Sequence, residues 1–238
     1  MTIKGIIFDL GYTLITPLTN DWVLTESFFS FIPKETLHKQ DPKKAFESFD
    51  NAYQKLRDDH CVHDTDKELK QWTQFYYDFV NGMEGLSLSM EDAYIIAKDH
   101  TYNPDQFVLC EDTIETLTKL KQQGYKLGLL SDTWPSAVNF IKELGIYDFF
   151  DMRTYSFEEG KFKPDPEIFD TAIKRMELEP DEMLFVDDLL RNLIMAENFG
   201  MHPVMSLLNP KTKENERYES IDSPSDIFDV IKHYNSLN

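Results

Sequence analysis

Three carboxylates stand where chemistry is easiest to build. Asp9 ends the apolar run of IIFDLGYTL, with Gly11 two positions on, and Asp187 and Asp188 end the run MLFVDD. A buried carboxylate can act as an oxygen nucleophile. Gathered in one place, the three would form an oxygen-rich site suited to magnesium, whose octahedral shell is completed by waters and phosphate oxygens. Adjacent acids at the end of a buried strand repel and rise in pKa unless a cation stands among them. The plainer alternative is helix capping or a solvated acidic rim. Ser131, closing KLGLL, can give its hydroxyl to an anionic oxygen alongside the N–H groups of the following turn. Equally, Ser131, Asp132 or Thr133 could cap the next helix. Lys163, in EEGKFKPDPEIF, precedes a proline that orients the chain ahead of a helix starting near Pro166. It either neutralises Asp9 and a bound anion or is an ordinary surface lysine, and Lys161 reads as the more exposed of the two.

Short apolar runs must position these groups. Ile3 to Phe8, KLGLLS (126–131), MLFVDD (183–188) and HPVMSLL (202–208) predict buried strands, and MRTYS (152–156) is a weaker one. TIETLTKLKQQG, PSAVNFIKELG and LRNLIMAENFG read as helices ending at glycine, and DPEIFDTAIKRM places Ile168, Phe169, Ile173 and Met176 on one face. Such alternation requires a parallel sheet covered by helices, in which ligands sit beyond the carboxyl ends of the strands. That rule selects Asp9, Ser131, Asp187 and Asp188.

Residues 15–105 read instead as an inserted helical cap, leaving 1–14 and 106–238 as the core. Asp41-Pro42 marks one helix start, Thr65 with Glu68 a capping box, and Ser89 with Asp92 a third start. The dense aromatic residues of this stretch, Trp22 to Phe79, are read mostly as core or hinge packing, the rest as lining for a substrate pocket. Ser223-Pro224-Ser225-Asp226 caps a terminal helix, IFDVIKHY.

The balance of 24 basic against 43 acidic residues gives a net charge of -19 over 238 residues. Such a surface repels nucleic acid and anionic membranes and leaves room for a local basic pocket holding a small anion. Cys61 and Cys110 form no CxxC pattern and indicate neither a disulfide scaffold nor a zinc site. Neither a leader segment nor a run long enough to span a membrane is legible, so a cytoplasmic protein is expected. Oligomeric state leaves no mark in the sequence.

FDLGYTL, LLSD, EEGKFKPDPEIF and FVDDLLRN, in that order and with a helical insertion after the first, resemble the haloacid dehalogenase-like hydrolases over essentially the whole chain. The resemblance implies an α/β fold, a Rossmann-like parallel sheet with a helical cap inserted after the first strand. It implies Asp9 as nucleophile and a magnesium ion held by Asp9, the Gly11 carbonyl, Asp188 and, directly or through water, Asp187. Ser131 would bind the phosphoryl group, with Thr13, Asp132 and Lys163 as further substrate-binding candidates. Thr13 would support the first loop, and Lys163 would hold Asp9 and the phosphoryl oxygens. Asn192 falls where the family often has an acid, an orienting position. The expected activity is magnesium-dependent hydrolysis of a small phosphorylated metabolite through an aspartyl-phosphate.

Gly11 departs from that pattern. Phosphatases of the family usually carry there a second Asp that protonates the leaving oxygen and then activates water. Losing positioned acid–base catalysis costs a factor of about 10² to 10⁴, or roughly 3 to 5 kcal/mol of barrier. Three explanations stand: a good leaving group, an acid from the cap, or a weakly active or inactive protein that binds a phosphorylated ligand. A dehalogenase also manages without that Asp, but in a metal-free site where Asp187 and Asp188 would repel one another. Phosphonate cleavage needs a cap lysine, and nothing marks Lys43, Lys44, Lys55 or Lys67 as desolvated.

Overall fold

In the computed structural model, residues 2–212 and 217–236 are described. The chain begins with β1 (Gly5–Phe8) and β2 (Ile15–Pro17) and then runs through five helices, α1 (Glu26–Phe31), α2 (Lys34–Leu37), α3 (Pro42–Asp58), α4 (Thr65–Asn81) and α5 (Met90–Tyr102). There follow β3 (Phe107–Leu109), α6 (Thr113–Gln122), β4 (Lys126–Ser131), α7 (Ser136–Glu143), β5 (Met152–Tyr155), α8 (Ser156–Glu159) and α9 (Pro166–Met176). The remainder is β6 (Met183–Asp187), α10 (Leu190–Asn198), β7 (His202–Ser206), β8 (Glu219–Ile221) and α11 (Ile227–Ser236).

Six strands form one sheet in the order β5-β4-β1-β6-β7-β8, and every pairing in it is parallel. The run 202–208 stops pairing at Ser206, two residues early. β1 is central and wholly buried because its four residues are apolar or glycine and both its neighbours are strands. The order reverses at β1, with β4 and β5 on one side and β6, β7 and β8 on the other. Such a reversal opens a crevice beyond the strands' carboxyl ends. The fold is α/β, Rossmann-like, with an inserted helical cap.

Helix α9 lies close to the sheet because two strand positions lack side chains. A Cβ on Gly5 would stand 2.7 Å from Met176 Cε, and one on Gly128 would stand 2.9 Å from Met176 Sδ and 2.6 Å from Met152 Cε. Met176, Ile168, Phe169 and Ala172 then pack against Ile7, Leu130 and Phe185, the face that the spacing of DPEIFDTAIKRM predicts. That packing fixes the start of α9, and with it the loop carrying Lys163.

The chain divides into two compact units. One comprises Met1–Thr16, Val108–Thr133 and Ile141–Asn238, the other Pro17–Phe107 and Trp134–Phe140. The helical unit has its own core of Phe28, Trp72, Phe75, Tyr76, Phe79 and Ile96, with Phe49, Tyr53 and Trp134 packed against it. Asp41 caps α3 by accepting from the N–H groups of Lys43 and Lys44, and Ser89 caps α5. At α4 the expected capping box of Thr65 and Glu68 does not form. Asp64 is the cap, accepting from Lys67 N at 2.7 Å. Glu68 is instead drawn into the interior, where its two oxygens accept from Ser136 N at 2.8 Å and Ser136 Oγ at 2.6 Å. A capping box needs the acid to turn back on its own helix, and a distant donor pair takes it away.

Candidate active site

At the carboxyl ends of β1 and β6, Asp9, Asp187 and Asp188 each offer a ligand oxygen, all within 4.8 Å of one another, and all three residues are buried. Lys163 stands among them. Its Nζ donates to Asp9 Oδ1 at 2.6 Å, to Asp187 Oδ2 at 2.7 Å and to the Leu130 carbonyl at 3.1 Å. Its side chain is only 2% exposed, against 12% for Asp9 and none for Asp187, so the surface-lysine alternative falls. Lys161 stays at the surface, paired with Asp165 and Glu167.

The loop after β1 is wound tightly. Leu14 N donates to Leu10 O at 2.9 Å, Tyr12 N to Ile15 O at 2.8 Å, and Tyr12 adopts a φ of 50°. The left-handed region is strained for a non-glycine residue. Ser206, at the end of β7, holds Tyr12 there by donating to its carbonyl at 2.6 Å. Gly11 bridges to Ile15 and does not have a positive φ. Thr13 is fully buried, and its Oγ1 has no hydrogen-bond partner among the described residues.

Ser131 is the buried last residue of β4. Neither it nor Asp132 caps α7, which begins only at Ser136. Asp132 Oδ1 accepts from the backbone N–H of Lys163 at 2.9 Å, which ties the lysine's loop to the end of β4. Asp187 is engaged on both oxygens: Oδ1 accepts from Leu189 N at 2.8 Å and Asn192 Nδ2 at 2.9 Å, and Oδ2 from Asn192 Nδ2 at 3.0 Å as well as Lys163. Asp188 Oδ2 accepts from Asn209 Nδ2 at 2.6 Å, while Thr212 Oγ1 donates to the Asp188 carbonyl at 3.0 Å.

Asn209, Ser206 and Thr212 are absent from the sequence expectation. The signal was there in part, since Asn209-Pro210 is a turn dipeptide just beyond a strand, and the strand-end rule applied to β7 selects this loop.

The electrostatics are those of one ammonium facing three carboxylates. Burial and the nearby Asp187 and Asp188 charges push Asp9 up, against the pull of Lys163. Burial, with Asp187 beside it, pushes Asp188 up to about 6, and the Asn209 hydrogen bond works the other way. For Lys163, burial opposes the charge, but the Asp187, Asp9 and Asp132 carboxylates outweigh it and hold the ammonium above the usual lysine range. A buried acidic excess with oxygen donors alone fits a hard divalent cation, which would relieve the repulsion that one lysine leaves.

Over residues 3–200 the sequence matches the haloacid dehalogenase-like hydrolases. It is 28% identical over 207 residues to the glyceraldehyde 3-phosphate phosphatase of Pyrococcus furiosus, covering 85% of this chain and 80% of that protein. The crystal structure of a HAD phosphatase from Thermococcus onnurineus superposes with a TM-score of 0.64 at 24% identity, over 96% of this chain and 98% of that one. The L-2-haloacid dehalogenase of Xanthobacter autotrophicus gives 0.66 at 15% identity, over 97% and 99%. A phosphatase and a dehalogenase thus share this architecture, which speaks for the fold and leaves the reaction to the site. With the match extending over most of its length, the chain belongs to the haloacid dehalogenase-like hydrolase family.

Proposed function

We propose that the protein is a magnesium-dependent phosphomonoester hydrolase working through an aspartyl-phosphate on Asp9. The observation that supports this reading best is the buried triad of Asp9, Asp187 and Asp188 with Lys163 hydrogen-bonded inside it. Asp9, Asp188 and the Gly11 carbonyl would hold the ion, with Asp187 beside them. Bound there, magnesium supplies positive charge to the phosphoryl oxygens and permits a dianion to approach an acidic centre.

The remaining steps fall to the chain's own groups. Lys163 stays on Asp9 Oδ1, the oxygen that would also serve the ion, so Oδ2 attacks phosphorus while the ester P–O bond breaks and the leaving oxygen takes a proton from water, leaving hydroxide. Ser131 receives the phosphoryl oxygens, and water then cleaves the acyl-phosphate. Asp187, saturated by Lys163, Asn192 and Leu189 N, serves chiefly to aim the lysine. The relative from Pyrococcus furiosus, a phosphatase by name, supports a small phosphorylated substrate.

Gly11 favours a second reading, a protein that binds a phosphorylated ligand and turns it over little, since nothing at that position protonates the leaving group. One experiment addresses both: release of inorganic phosphate from a panel of phosphomonoesters, with and without magnesium, for wild type, Asp9→Asn and Gly11→Asp. Release should require magnesium and fall about 10³-fold or more in Asp9→Asn. Gly11 has no positive φ to strain a side chain, and an acid there should raise the rate for poor leaving groups about tenfold or more. Background release under all conditions, with phosphate still raising Tm, would establish the second reading.

A further inference from the structure

Helix α5 carries apolar side chains on both of its faces. Its inner face, with Ala93, Ile96 and Ala97, belongs to the core of the helical unit. On the outer face Met90, Tyr94, Ile95 and Tyr102 are each between 43% and 46% exposed. The neighbouring helices of the unit are built differently. Along α3, Phe46 is the one exposed large apolar residue, and the exposed positions of α4 are Asp66, Lys70, Gln74 and Asn81. Single apolar side chains are ordinary on a protein surface, whereas a row of them along one helix marks a face that another surface covers.

The spacing on that face also carries charge. Met90, Tyr94 and Tyr102 share a row of residues spaced by four, with Lys98 in the place between, and Glu91 and Ile95 lie on the adjoining row. All six are exposed. Glu91 and Lys98 stand two turns apart, about 10 Å along the axis, too far to pair with each other. Tyr94 and Ile95 lie midway between them. Such a face is its own complement. Turned end for end about a two-fold axis passing between Tyr94 and Ile95, a second α5 sets its Lys98 against Glu91 and its Glu91 against Lys98. Tyr94 of each copy then packs on Ile95 of the other. A parallel pairing would set glutamate against glutamate and lysine against lysine, so the charges select the antiparallel one.

We infer that this face of α5 is the interface of a homodimer, in which two copies of the chain join through their helical units with α5 antiparallel to α5. The four apolar side chains offer on the order of 300 Å² per protomer, below the roughly 800 Å² per partner of a standard interface. Each copy also carries a net charge of -19, which opposes association. The dimer is therefore weak and reversible.

Sedimentation velocity tests it from about 1 to 500 µM protein, the range in which a weak interface populates both states. The buffer holds about 0.15 M salt, which screens repulsion between the two net charges beyond about 8 Å. Wild type should dimerise with a Kd on the order of tens of micromolar. Glu91→Lys and Lys98→Glu should each raise it about tenfold or more, because a single reversal turns two attractions into repulsions across the two-fold axis. Mixed in equal amounts, these two variants should associate with each other near the wild-type affinity. The double variant Glu91→Lys/Lys98→Glu should likewise regain self-association. Rescue in the mixture requires both variants to be folded, so it separates a lost contact from a lost fold. A wild type that stays monomeric throughout would overturn the inference and leave the face to a different protein. So would a dimer indifferent to both reversals, or reversed variants that fail to find each other.

Discussion

Each of the two units buries carboxylate, and they do so in opposite ways. In the sheet unit, Asp9, Asp187 and Asp188 crowd together around a single ammonium. In the helical unit, Glu68 is alone, fully buried, and satisfied by the N–H and hydroxyl of Ser136, with burial pushing it up to about 7. The first arrangement leaves negative charge in excess and lone pairs to spare, as a site must. The second leaves neither. Buried charge therefore points to a candidate site where the donors fall short of the acceptors, and matched donors make it a structural clasp. Glu68 fixes the start of α7 to α4 and so accounts for Trp134–Phe140 belonging to the helical unit.

The strongest way to break this contrast is to remove the lone cation. Lys163→Met takes one partner from a buried network in which Asp9 and Asp187 both depend on it. Stranding a buried charge in this way costs about 3–5 kcal/mol. Urea unfolding at pH 7 without magnesium should show that loss, and saturating magnesium should restore part of it by replacing positive charge. A variant as stable as wild type without metal would show that the carboxylates do not need the lysine, and the excess of charge would be illusory.

Glu68 sharpens the contrast from the other side. Its pKa stands above the usual 4.5 in the folded protein, so between pH 4.5 and about 7 the folded protein keeps a proton that the unfolded chain has released. Stability must fall as pH rises across that window and level off above it, by at most about 3 kcal/mol. Glu68→Gln can still accept from Ser136 N and cannot ionise. The difference between its unfolding free energy and that of wild type should therefore grow in its favour from pH 4.5 to about 7. Parallel curves would mean that Glu68 titrates at an ordinary carboxylate pKa.

What could be read in advance follows the same division. Asp9, Ser131, Asp187 and Asp188 were legible because a strand end is a local pattern, an apolar run closed by a polar residue, and the parallel order that unites such ends follows from alternation. The helix starts at Asp41 and Ser89 were legible for the same reason. The partners lying far along the chain were not. Asn209 reaches Asp188 from the next strand's loop, Ser206 holds Tyr12 from 194 residues away, and Ser136 takes Glu68 from 68 away. Such pairs leave no periodicity, since one hydroxyl or amide among many is chosen by where the sheet and helices bring it. Thr65 misled because it is a good cap beside a better one, Asp64.

The smallest expected effect tests whether the sheet unit's site is built as deliberately as Glu68's clasp. Asn209 Nδ2 supports Asp188 Oδ2, and its own Oδ1 accepts from Lys211 N at 2.9 Å, so one side chain both orders its loop and aims a candidate metal ligand. Asn209→Ala should cost about 1 kcal/mol of stability without metal, the net worth of a side-chain hydrogen bond. It should weaken magnesium binding by about tenfold, the lower end for a residue that orients a ligand. A Tm titration with magnesium, comparing wild type with Asn209→Ala, separates the two effects, since the first lowers the metal-free Tm and the second raises the magnesium concentration at which Tm begins to climb. An unmoved onset would mean that Asp188 keeps its place without Asn209. Asp188 would then need no partner from the next strand's loop, and the contrast between the two units would rest on Lys163 alone.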